Sequence, residues 1–197
     1  MPLGAHKVAL FGVAGVSTGD VVLLSSQTAS SSASIDFTSG IDSTYGEYIF
    51  RFYNIHSGTD STGLTFQVNA SGESGYNETI TSTMFRAYYA EGGDASGVLQ
   101  YAPDDQAQGT AFQFLCNAQP DDNDAGMCGE LHLFNPSSTT YVKHFYAKTI
   151  TFDTGPTCIH LFPAGYINTT AAIDDIQFKM QSGNIDAGTI KMWGVKN

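Results

Sequence analysis

Leu64-Thr65-Phe66-Gln67-Val68-Asn69 alternates apolar and polar side chains without a break, and this stretch decides the fold class. On an extended chain successive side chains point to opposite faces, so period-two amphipathy describes a strand with one buried and one wet side. The alternation returns in Gly129-Glu130-Leu131-His132-Leu133 and in Ile176-Gln177-Phe178-Lys179-Met180, while almost nothing recurs at the helical period. The expectation is an all-β, single-domain antiparallel β-sandwich, jelly-roll-like, because two sheets packed face to face hide all these apolar sides at once.

Working outward, the pattern predicts strands over residues 48–55, 64–69, 79–89, 111–116, 130–135, 141–152, 159–167, 173–180 and 189–195. Clusters of Gly, Asn, Asp and Ser between them supply the turns. Asn135-Pro136-Ser137-Ser138 is the clearest, folding residues 130–134 back onto 141–146 with Pro at a position that suits its fixed φ. Residues 47–197 form the expected sandwich core. Residues 1–46 belong to the same domain but differ in character: strands at 7–11 and 20–24 precede a Ser/Thr/Ala run over 25–34 that looks like an attachment segment. Unpaired apolar strands seek partners, so Val8, Leu10, Phe11, Val21 and Leu23 are the candidate interface residues, pairing in their own sheet or with a neighbour.

At 197 residues, with 42% apolar residues, 13 Phe and 10 Tyr, the chain has the material for an aromatic core. Its 19 acidic residues against 8 Lys and Arg give a formal charge of −11, which repels phosphate backbones and anionic membranes. Nucleic acid and membrane are therefore not expected partners. The opening Met1 to Lys7 lacks the basic region of a signal peptide, and the apolar run after it, broken by Gly12 and Gly15, is too short to span a bilayer, so cytoplasmic synthesis is the expectation. Cys116, Cys128 and Cys158 have no metal-ligand spacing and are expected as reduced thiols, with a Cys116 to Cys128 bridge as the alternative.

Gly15-Val16-Ser17-Thr18-Gly19 spells the serine nucleophile elbow, but that device needs a helix behind the serine and the β-branched run here is a strand. Asp174 and Asp175 are adjacent and point to opposite faces, so they do not form the facing pair that glycoside hydrolysis needs. Asp121, Asn123 and Asp124 resemble half of a calcium loop and are the candidate metal ligands, joined in a looser site by Asp104 and Asp105. Ala125 stands where a ligand is wanted and His132 where the twelfth-position Glu belongs, and an acidic hydrated loop is the plainer reading. One register of the hairpin sets His132 opposite His144 as a two-imidazole metal or pH-sensing pair. Two long loops, 91–108 and 117–129, are the candidate binding loops, with Tyr88, Tyr89 and Tyr101 as candidate glycan contacts.

The segments Ile35-Asp36-Phe37-Thr38-Ser39-Gly40-Ile41-Asp42-Ser43-Thr44-Tyr45, Gly129 to Ser138, Ala164-Gly165-Tyr166-Ile167-Asn168 and Gly188-Thr189-Ile190-Lys191-Met192-Trp193-Gly194-Val195 together resemble virion structural proteins of marine tailed bacteriophages. The last of them is similar to the final strand of jelly-roll appendage domains. The resemblance implies a non-enzymatic part of a particle, either a capsid decoration or a tail or fibre component. It also implies partners among other virion proteins and copies of itself, with a trimer favoured. A carbohydrate-binding receptor module, calcium-dependent if the acidic loop binds metal, is the alternative expectation, with host glycan as ligand.

Overall fold

The computed structural model describes residues 20–93, 98–102, 104–155 and 157–196, with backbone alone for 98–100. Among them every regular element is a strand: β1 (Val21–Thr28), β2 (Ile35–Phe37), β3 (Glu47–Ser57), β4 (Leu64–Ala70), β5 (Ile80–Ala90), β6 (Val98–Tyr101), β7 (Gln113–Phe114), β8 (Met127–Phe134), β9 (Lys143–Phe152), β10 (Thr157–Ile167), β11 (Ile173–Met180) and β12 (Ile185–Val195). Two antiparallel sheets pack as a sandwich, one ordered β1-β12-β3-β8-β9-β10-β5-β6 and the other β2-β11-β4-β7. The β-sandwich read from the alternation is the fold of the molecule. Residues 7–11, with Val8, Leu10 and Phe11, and the Gly15 to Gly19 motif lie outside the described residues. The segment that follows that motif is β1, a strand, which leaves no helix for a nucleophile elbow.

The sandwich closes around phenylalanines from both sheets. Phe178 on β11 meets Phe50 and Phe52 of β3 at ring-centroid distances of 5.4 Å each, with Phe37 of β2 at 6.2 Å and Phe66 of β4 at 6.5 Å. Phe66 stands edge-on to Phe145 of β9 at 5.1 Å. Edge-to-face rings set the positive rim of one against the negative face of the next, adding to the burial of apolar area. Tyr48 is fully buried as well, and its hydroxyl donates to the Asp42 carbonyl at 3.0 Å and accepts from the Asp42 N–H at 2.8 Å. Gly194 on β12 makes room for the neighbouring turn, since a Cβ there would sit 2.6 Å from the Tyr45 ring.

Where strands give way to loops, buried amides replace the ladder. Gln67 donates to the carbonyls of Glu78 (2.9 Å) and Ala111 (3.1 Å), and Gln119 to that of Ile55 (2.5 Å). Gln113 accepts from the Ser82 hydroxyl at 2.6 Å while donating to the carbonyls of Asp104 and Phe114, both at 3.1 Å. Loop carbonyls buried without a partner would each forfeit a hydrogen bond, and a primary amide carries donors and an acceptor to meet them. Lys143, also fully buried, gives its ammonium to the carbonyls of Tyr141 (3.1 Å) and Thr169 (3.2 Å), and burial holds its pKa below the usual lysine range.

Several expectations are corrected. Residues 25–28 of the Ser/Thr/Ala run continue β1, paired with Thr189 to Met192 of β12. Ile35 and Phe37 form β2, core residues that pair with β11. Loop 91–108 contains β6, loop 117–129 gives up its last residues to β8, and the strand expected over 111–116 shrinks to the two residues of β7. The hairpin stands as read, with Ser138 N–H donating to the Asn135 carbonyl at 3.0 Å and Leu133 paired to Phe145. That register puts Tyr146, not His144, opposite His132; His144 instead lies opposite Tyr166 on β10, so the two-imidazole pair does not assemble.

Candidate interaction surface

Eight strands face four, and the larger sheet turns an outer face away from the core. The registers lay out that face in rows. One runs Leu23, Trp193, Ile49, His132, Tyr146, Ala164 and Thr83 across seven strands; another runs through Lys191, Arg51, Glu130 and Lys148. Apart from Tyr141, every large apolar side chain exposed among the described residues is on this face: Val21, Leu23, Tyr53, Phe85, Tyr89, Tyr101, Tyr146 and Ile150. Phe85 and Phe162 stack at 4.8 Å, and Phe162 in turn meets the His160 ring at 4.0 Å.

A charged cluster is set within the apolar surround. Glu130 receives Arg51 Nε at 3.6 Å, His132 Nε2 at 3.5 Å and Lys148 Nζ at 4.0 Å. His132 Nδ1 lies 2.5 Å from Glu47, and the imidazole stacks flat on Tyr146 at 4.5 Å. Two cations of this face also sit over rings, Arg51 on Trp193 at 5.9 Å and Lys191 on Tyr53 at 5.2 Å. Burial, with Glu47 and Glu130 close by, raises the Tyr146 pKa, and burial with Lys148 nearby lowers that of His160. A shallow hollow of about 410 Å³ opens between Arg51, Tyr53, Cys128, Glu130, Lys148 and Ile150. Apolar rings thus border a few internally paired charges on this face.

The residues singled out from the sequence are distributed as follows. Val21 and Leu23 are exposed on the outer face, on β1, the last described strand at that end of the sheet. Tyr89 and Tyr101 share that face, at 56% and 60% exposure, whereas Tyr88, one residue from Tyr89 on β5, points to the other side and packs on the core. The three tyrosines therefore do not form one glycan platform. Asp121, Asn123 and Asp124 are exposed in the turn before β8, near His56, whose Nε2 lies 2.9 Å from the Asp122 carbonyl. Asp105 accepts from the Tyr101 hydroxyl at 2.6 Å and Asp104 from the Asn117 amide. Among the described residues no group of three or more His, Cys, Asp and Glu side chains is placed to hold a metal ion. Tyr53, Phe85, Tyr146 and Ile150 were not singled out from the sequence. Their signal is a strand apolar on both parities, as in 143–152, where Phe145 and Ala147 point inward while Tyr146, Ile150 and Phe152 point out.

All three cysteines are free, Cys116 buried and Cys128 and Cys158 exposed. Burial pushes the Cys116 thiol up to about 12, which leaves almost no thiolate at neutral pH. A thiol reagent applied to the native protein at pH 8 should titrate Cys128 and Cys158 and reach Cys116 only in denaturant. Native labelling of Cys116 would contradict its placement in the core.

No protein-family model matches the chain, and no curated protein matches it.

Proposed function

We propose that this protein is a non-enzymatic structural subunit of a tailed-bacteriophage virion, exposed on the particle as a capsid decoration or a tail or fibre component, which associates with copies of itself and with other virion proteins. The observation that carries this reading is the apolar outer face of the eight-stranded sheet. Eight large apolar side chains are exposed on it, from Val21 and Leu23 on β1 to Tyr101 on β6, and apolar surface left in water is stabilised by a partner that covers it. The sequence resemblance gives the setting, and the −11 charge suits a subunit that must stay soluble before assembly.

The test is sedimentation of the wild type beside Phe85→Glu/Ile150→Glu, which sets two carboxylates on the face without touching the core. The wild type should sediment as an assembly closed through this face, a trimer on the sequence expectation, and the variant should need at least about 100-fold more protein to reach that assembly, because an unpaired buried charge opposes closure. A wild type that stays monomeric and binds no other particle protein would overturn the proposal.

A further inference from the structure

We infer that β1 is a seam at which two copies join edge to edge, β1 pairing antiparallel with β1 of a second copy across a twofold axis. The inference rests on the self-associating reading above and names a surface distinct from the outer face. β1 ends the larger sheet, with β12 on one side and no described strand on the other. The other three sheet edges are short: β2 has 3 residues, β7 has 2 and β6 has 4. β1 has 8, Val-Val-Leu-Leu-Ser-Ser-Gln-Thr, with none of the Lys, Pro or acidic residues that guard an edge against pairing.

The backbone polarity follows from the ladder. Ala29 N–H donates to the Gly188 carbonyl at 2.9 Å, so by alternation Gln27 turns toward β12 while Thr28 and Ser26 turn their N–H and C=O outward. At the other end the Asp20 carbonyl accepts from Lys196 at 2.9 Å, so Val21 and Leu23 turn outward as well, the bulge between Leu23 and Ser25 restoring the phase. Water satisfies such a row one group at a time, whereas another strand pairs with all of it together. A second copy offers the same row, which an antiparallel twofold makes self-complementary. The seam carries no formal charge, so two strongly acidic subunits can approach there, and joining would run the two apolar outer faces into one surface through Val21 and Leu23.

Hydrogen exchange on the full-length protein across a dilution series, paired with sedimentation, tests this. The Ser26 and Thr28 amides should become protected by about tenfold or more as the dimer forms. The protection should be lost in Ser26→Pro, which removes an outward donor and spares the β12 ladder. Should Ser26→Pro misfold by circular dichroism, Ser26→Lys, which keeps every backbone donor, should still weaken the dimer about tenfold or more. If the protein self-associates, is dispersed by Phe85→Glu/Ile150→Glu, and leaves these two amides unprotected at every concentration, the seam is wrong and the outer-face reading stands. If the amides are protected in a monomer regardless of dilution, the residues before Asp20 cover the edge and the seam is equally wrong.

Discussion

Phe178→Ala should lower the free energy of unfolding by about 3–5 kcal/mol, read as a shift of the denaturant midpoint at unchanged slope. Phe178 belongs to the smaller sheet, yet two of the rings it touches, Phe50 and Phe52, belong to the larger one. The void would therefore open at the interface of the two layers. The surrounding rings are held on paired strands, Phe66 and Phe37 opposite β11 itself, so they cannot close over the gap without breaking ladder bonds. A domain of this kind has about 5–15 kcal/mol in hand, so the loss is a large fraction of the whole. A drop below about 1 kcal/mol would mean that the core re-closes, contrary to its close-packed geometry.

Gln113→Leu should cost about 2–3 kcal/mol although the volume is nearly kept, because the effect is one of lost partners. The part-buried carbonyls of Asp104 and Phe114 would lose the amide that meets them, and the Ser82 hydroxyl would lose its acceptor. Ser82 also accepts from the Gln106 N–H at 2.8 Å, so the loosening should spread into the segment that joins β6 to β7. Hydrogen exchange at Gln106 should accelerate along with the fall in stability. Unchanged stability with unchanged exchange would show that solvent already satisfies these groups.

β4 and the second half of β11 were legible because amphipathy is local, and β3, β9 and β10 because their aromatic and β-branched residues run between turn residues. β2 and β7 were not, because 3 and 2 residues are too few to show a period, and they are strands only through partners more than 40 residues away. The His132 and His144 expectation failed for another reason. Opposing those two histidines, or opposing His132 to Tyr146 as the molecule does, leaves the same side chains inward, since a shift that preserves parity preserves faces. The turn geometry over 135–142 chooses between them, and the apolar pattern is silent on that choice.

The candidate surface was legible only in part. Val21, Leu23, Tyr89 and Tyr101 could be named from the sequence as apolar residues near strand edges and loops, and they are exposed on one face. That Tyr53, Phe85, Tyr146 and Ile150 join them required the strand order, because these residues come from β3, β5 and β9 and are neighbours only across the sheet.

By itself the sequence determined that the described regular elements are strands, where the principal hairpin turns, and that a phenylalanine-rich core holds two layers together. Each of these rests on side-chain alternation or turn chemistry within a few residues. Tertiary structure alone decided which strands are neighbours, which of two apolar faces is left to solvent, and which described strand stands last in the sheet. Those outcomes depend on pairing between residues far apart in the chain, whose register and order are set by closing the whole sandwich at once.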